Sequence, residues 1–174
     1  MNISATQLEG VLLIHAKKHG DARGWFCETF RHQALIDAGF SGGNFIQDNH
    51  VRSTGRGILR GLHFQSPPHA QDKLIRCVRG AIFDVALDIR RSSPSFGQWT
   101  GAELSADNNA QLLVPKGFAH GYLTLSEDCE VLYKVTDYYA PGSEGGLAWN
   151  DPAVGITWPI DTANITTNDR DSRA

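Results

Sequence analysis

The stretch Lys73 to Arg90, KLIRCVRGAIFDVALDIR, decides how this chain is built. Gly80 divides it into two short runs rich in aliphatic and β-branched residues, and a glycine between such runs marks a change of direction between strands. In the second run Phe83, Val85, Leu87 and Ile89 alternate with Asp84, Ala86 and Asp88. That is the period of two produced when successive side chains point to opposite faces of a sheet. One face of the predicted strand is apolar and the other is not. The same period recurs in CEVLYKVTDYY, where Val131, Tyr133 and Val135 face one way and Leu132, Lys134 and Thr136 the other. Tyr133 therefore shares the face of two valines.

Around these runs, 18 glycines and 7 prolines punctuate further short stretches rich in Val, Ile, Leu, Phe and Thr, the texture of many strands joined by turns. The expected class is all-β. Only Arg31 to Gly39, RHQALIDAG, reads as helical, with Ala34, Leu35 and Ala38 near helical spacing and Gly39 where a helix would end. Such a helix would be short and peripheral. A length of 174 residues, 41% of them hydrophobic, suffices for one core, and no repeat or linker-like tract divides the chain. One domain over residues 1–174 is expected. The closing stretch, Asp161 to Ala174, is polar and is expected to be loosely held except where a site needs it.

Charge and cysteine usage narrow the function classes. A formal net charge of −3 gives no basic field to attract nucleic acid or an anionic membrane surface, so any anion must be captured locally. Cys27, Cys77 and Cys129 are odd in number, widely spaced and without a C-x-x-C pair, which suggests neither a disulfide framework nor a zinc site. The opening MNISATQLEGVLLIHAKKHGD lacks a basic segment ahead of a long apolar run, and no apolar run approaches the roughly 18 residues of a membrane span. A soluble cytoplasmic protein is expected.

Two histidines stand beside glycines at the edges of strand-like runs: His63 in RGLHFQ and His120 in PKGFAHGY. The segment Pro115-Lys116-Gly117-Phe118-Ala119-His120 resembles the second signature of the cupins, small double-stranded β-barrels of the jelly-roll type. A metal-binding cupin would pair it with H-x-H and a following Glu, but here the place reads His63-Phe64-Gln65 and no Glu occurs between Gln65 and Glu103. No metal is expected. A histidine that is not a ligand is suited to act as a general base near neutral pH, provided a carboxylate fixes its tautomer. Asp169 is one candidate, and Asp84, on the non-apolar face of its strand, suits either His63 or His120. Arg60, Gln65, His69 and Lys73 crowd the same region, while Arg23, Glu28, Gln47 and Asn49 lie in two earlier segments. Guanidinium groups such as Arg23 and Arg60 suit phosphate oxygens, and Lys73 is placed to stabilise a developing enolate. Tyr133, protonated at neutral pH, can return a proton to a carbanion. Taken singly, each of these residues is more simply a packed strand tyrosine, a satisfied histidine or a solvated cation. Only their clustering favours chemistry.

In chain order, DARGWFCETF, QDNHVRSTGRGILRGLHFQ, QDKLIRCVRGAIFDVALDIRRSSPSFGQW, VPKGFAHGY and YKVTDYYAPGSEGGLAWNDP resemble the dTDP-4-dehydrorhamnose 3,5-epimerase family over about residues 10 to 170. The resemblance implies a cupin-type jelly roll with a few short peripheral helices, a homodimer without metal or cofactor, and a dTDP-linked 4-keto-6-deoxyhexose substrate converted to dTDP-4-dehydro-L-rhamnose. It makes His63 the base, Asp169 its assistant and Tyr133 the proton donor. It places Arg23, Glu28, Gln47, Asn49, Arg60, Lys73, His120 and Glu144 against the substrate. One departure stands out: the family often carries Lys before the aspartate of a closing S-x-K-D motif, where this chain reads Thr166-Thr167-Asn168-Asp169. A cationic contact is then expected to be missing, with Arg170 the nearest substitute and Asn168→Lys expected to tighten binding. Three rivals remain at this level: an epimerase that inverts only C3 or C5, a non-catalytic sugar-nucleotide-binding cupin, and a metal-dependent cupin oxygenase.

Overall fold

The computed structural model describes residues 1–173. Its strands are β1 (Asn2–Ala5), β2 (Leu12–His15), β3 (Lys18–Asp21), β4 (Gly24–Cys27), β5 (Gln47–Thr54), β6 (Leu59–Gln65), β7 (Lys73–Arg79), β8 (Ala81–Asp88), β9 (Trp99–Ser105), β10 (Ala110–Val114), β11 (Phe118–Thr124), β12 (Asp128–Val135) and β13 (Glu144–Gly146), with one α-helix, α1 (His32–Asp37). They form a sheet of order β1-β2-β10-β7-β12-β5, a second of order β13-β6-β11-β8-β9, and a separate β3-β4 hairpin. The two larger sheets pack face to face. Within them the orders β5-β12-β7-β10 and β6-β11-β8-β9 are those of a cupin-type jelly roll, in which the chain passes repeatedly from one sheet to the other.

Gly80 makes one of these passages, because β7 and β8 are consecutive in sequence yet lie in different sheets. Its φ is +71°, and a Cβ there would stand 2.4 Å from the Asp128 carbonyl oxygen, so any other residue would force the turn open. The alternation in β8 reappears with an unexpected orientation. Ile82 and Ala86, together with Ile75, Leu112, Phe118, Tyr122 and Val131, fill the space between the sheets. Val85 and Leu87 point outward, where Trp158, Trp149, Ile156, Ile160 and Ile165 cover them. Thus the apolar face of β8 lies outside the barrel under the C-terminal stretch, and the face bearing Asp84 looks inward.

That C-terminal stretch is pinned, contrary to the expectation of loose attachment. The Leu59 N–H donates to Thr166 O and the Thr166 N–H to Gly57 O, each at 2.8 Å, extending β6 by a short parallel bridge. Backbone pairing and the apolar cover together supply what its polar composition conceals; Ala174 lies outside the described residues. The helix ends as its sequence implies: the Gly39 N–H donates to Ile36 O and the Phe40 N–H to Leu35 O, both at 2.9 Å, with Gly39 at φ +97°. This is a Schellman closure, and Leu35 and Phe40 pack together over Leu12, Ile14, Leu74 and Leu113 on the outer face of the six-stranded sheet.

Candidate active site

Between the sheets lies a cavity of about 200 Å³ lined by Val51, Arg60, His63, Lys73, His120, Tyr122, Tyr133, Asn168 and Asp171. Strand alternation explains most of the set, and a register shift between β6 and β11 lets Arg60 and His63, three residues apart, face the same way. Arg60 and His63 come from β6, and His120 and Tyr122 from β11, with His63 and His120 directly opposed in the register. Lys73 opens β7, while Tyr133 on β12 lies opposite Asn49 of β5. Gln47 and Asn49 share the face of β5 that carries Val51, and the Gln47 amide donates to Asn49 Oδ1 at 2.8 Å. A larger groove of about 790 Å³, running past Phe40, Pro67, Arg90 and Lys116, holds none of the predicted site residues.

His63 is fixed from the C-terminal side. Its Nε2 lies 2.7 Å from Asp171 Oδ1, and the other oxygen of that carboxylate accepts the Gly61 N–H at 3.1 Å. Asp171 is only 3% exposed. An ionised carboxylate accepts and cannot donate, so His63 presents Nε2–H to Asp171 and keeps Nδ1 as its basic nitrogen. Burial pushes the His63 pKa below its ordinary value, against the upward pull of Asp171 and with help from Arg170 and Lys73. The resting form is the neutral base.

The expectation that Asp169 assists His63 is corrected by this geometry. Asp169 is exposed, and its backbone carbonyl accepts the Ser172 hydroxyl. The Asn168 side chain accepts the Asp171 N–H at 2.8 Å, a local side-chain-to-backbone turn that seats Asp171. The aspartate that pairs with His63 thus lies two residues after the one the resemblance pointed to. The cation is not missing, since Arg170 stands directly before the pairing aspartate. The signal was available: of two aspartates in TNDRD, only the second has a cation before it.

Lys73 is buried, and its ammonium donates to the His63 carbonyl oxygen at 3.3 Å. Burial lowers its pKa to about 8, with Asp84 and Glu144 opposing the fall. Burial likewise raises the Tyr133 phenol, which Arg60 draws down and Glu144 pushes up, so Tyr133 remains protonated at neutral pH. Arg60 donates to Ser53 Oγ at 3.1 Å. Asp84, offered above as a partner for either histidine, pairs with His120, Oδ1 to Nε2 at 2.8 Å. Glu144 lies on β13 beside β6; its carboxylate accepts from Arg170 at 2.6 Å and from the Tyr139 hydroxyl at 2.7 Å. Burial pushes the Glu144 carboxyl up, but these two donors outweigh it and hold it below the usual range.

Of the predicted substrate contacts Arg60, Lys73 and His120 line the cavity, Gln47, Asn49 and Glu144 lie on strands beside it, and Arg23 and Glu28 belong to the β3-β4 region. Arg23 sits at the β3-β4 turn, its side chain 90% exposed and paired with Asp21 at 2.6 Å. Glu28 follows β4 and pairs with Arg31 at 2.8 Å. Among the described residues, no group of three or more His, Cys, Asp or Glu side chains converges as a metal site would. No described helix is long and apolar enough to cross a membrane.

Comparison with known proteins places this arrangement. The model of the family described as dTDP-4-dehydrorhamnose 3,5-epimerase matches residues 5–174. An enzyme of that name from Salmonella typhimurium is 51% identical over 160 residues, covering 92% of this chain and 87% of its own. The one from Escherichia coli is 49% identical, covering 99% and 92%. The crystal structure of a dTDP-6-deoxy-D-glucose-3,5-epimerase from Legionella pneumophila, in complex with dTDP-4-keto-L-rhamnose, superposes with a TM-score of 0.93 at 43% identity, covering 99% of this chain and 90% of that one.

Proposed function

Because the chain belongs to the dTDP-4-dehydrorhamnose 3,5-epimerase family, we propose that the cavity holds the hexose of a dTDP-4-keto-6-deoxy sugar and inverts C3 and C5 by removing and returning protons, giving dTDP-4-dehydro-L-rhamnose. The observation that carries this reading is the convergence of a carboxylate-oriented histidine, a buried lysine and a protonated tyrosine on one cavity. The C4 ketone acidifies the hydrogens on both neighbouring carbons. His63 Nδ1 takes such a proton, the C–H electron pair moves into an enolate, and Lys73 donates a hydrogen bond to the enolate oxygen. Tyr133 delivers a proton to the opposite face of the carbon, so the product is an isomer and no electrons are gained or lost. Positioned proton transfer contributes about 10²–10⁴-fold, and a fixed donor at the oxyanion contributes about 3–4 kcal/mol. Arg60, Gln47, Asn49, His120 and Glu144 hold the substrate, with Arg170 adding charge at the rim.

Arg23 and Glu28 enter through a homodimer. The β3-β4 hairpin exposes Trp25 (58%) and Phe26 (70%), and β5, which carries Gln47 and Asn49, is an edge strand of the larger sheet. An exposed apolar hairpin and an unpaired edge both favour association with a second copy, which would bring Arg23 and Glu28 to its partner's cavity. A cytoplasmic setting suits three free cysteines. The deciding experiment incubates the protein with dTDP-4-keto-6-deoxy-D-glucose in D₂O and follows deuterium by NMR. Incorporation at both C3 and C5 is expected; exchange at one carbon would make this chain a mono-epimerase, and none would leave it a binding protein.

A further inference from the structure

The roles above leave a second histidine–carboxylate pair unexplained. Asp84 is wholly buried on β8, opposite Tyr122 in the register with β11. Its Oδ1 bonds His120, but its Oδ2 has no hydrogen-bond partner among the described residues, and neither has the buried Tyr122 hydroxyl beside the cavity. Desolvating a carboxylate so incompletely is costly, and its inward-facing strand neighbours Ile82 and Ala86 are apolar, so packing alone favours an aliphatic side chain here. Its partners both face the cavity. His120 lines it from the same sheet and Lys73 from the opposite one; burial pushes the Asp84 carboxyl up, and the His120 hydrogen bond and the charges of His120 and Lys73 pull against that rise.

The chemistry of these groups sets a polarity. An ionised Asp84 can only accept, so it takes Nε2–H of His120 and leaves Nδ1 as an acceptor, whereas the Lys73 ammonium can only donate. We propose that Asp84 is a positioning residue that fixes His120 with Nδ1 turned to the cavity as acceptor for a hexose hydroxyl, across from Lys73 as donor to the ketone oxygen. This assignment rests on the epimerase reading of the cavity. A 4-keto sugar then meets one donor and one acceptor that cannot exchange roles: in the reversed sense a hydroxyl can still accept from Lys73, but the ketone oxygen faces the Nδ1 acceptor and both are left unpaired there, the situation in which buried polar groups discriminate most strongly.

The test begins with the unaltered protein. In ¹⁵N-histidine NMR spectra at neutral pH, the His120 signals, assigned by their loss in His120→Gln, are expected to show a protonated Nε2 and a bare Nδ1; the opposite tautomer overturns the proposal. Asp84→Asn keeps the shape and removes the charge. If it folds, kcat is expected to fall at least tenfold and KM to rise several-fold, and wild-type values for both would overturn the proposal. Should that variant not fold, the tautomer measurement decides alone. Absence of deuterium exchange by the wild-type protein would overturn the epimerase reading instead, and the spectra would still judge what Asp84 does.

Discussion

Asp171 and Asp169 are chemically identical and two residues apart, yet only one of them is buried against His63. Asp171→Asn is expected to lower kcat by about 10²–10⁴-fold, the range for a positioned acid–base group, because an amide can donate to Nε2 and so hold the wrong tautomer. Asp169→Asn should leave steady-state kinetics within twofold of wild type, about the precision of such assays. Asn168→Lys, which the sequence suggested would tighten binding, should instead weaken turnover by removing the bond that seats the Asp171 N–H. The pH dependence follows from two groups. Activity needs neutral His63, whose pKa is held below its ordinary 6.5, and charged Lys73, whose pKa is about 8. The kcat/KM profile should rise below pH 6.5 and decline from about pH 8 upward, and an acid limb at or above 6.5 would contradict the assignment of His63. His63, Lys73 and Tyr133 were legible in the sequence because each sits in a strand whose alternation or edge fixes its direction. Asp171 was not, because its partner lies 108 residues away and only a turn capped by Asn168 decides which aspartate points inward.

At the scale of elements, the alternation in β8 located the strand but not the side that faces the barrel. Apolar residues usually face the interior, and here the interior is shared between an apolar cluster and a polar cavity while a second apolar layer forms outside. Period two is the same for either orientation, so nothing within the strand itself distinguishes them. Trp158 is central to the outer layer: it stands edge-on to Phe83 and Trp149, at centroid separations of 6.1 and 6.4 Å, and its Nε1–H donates to Trp149 O at 3.1 Å. Trp158→Ala should cost about 3–5 kcal/mol of stability in urea unfolding and reduce activity further than stability alone explains, since it loosens the stretch that carries Asp171. The helix was legible almost to the residue, because Gly39 and the paired Leu35 and Phe40 are local signals. The pinned C-terminal stretch was not, because a parallel bridge between Ile58 and Thr166 leaves no trace in the composition of either segment.

On the scale of the whole molecule, Arg23 and Glu28 stand apart from the cavity, beside a hairpin with two exposed aromatic residues. Replacing Trp25 and Phe26 together with serine should convert a dimer to monomers in light scattering and raise KM at least tenfold, the worth of one buried charge-assisted contact. The catalytic core should keep its circular dichroism, because neither ring belongs to a buried cluster. A monomeric wild-type protein would leave Arg23 and Glu28 without a role. The union of β6 with the stretch around Asp171 carries one more consequence, for the protein while it is being made. A ribosome that has already delivered His63, His120 and Tyr133 has still produced an imidazole with no partner to set its tautomer. Full turnover therefore begins only after translation has passed Asp171, and a chain interrupted between Val135 and that point would hold nearly every strand of the barrel and little of its reactivity.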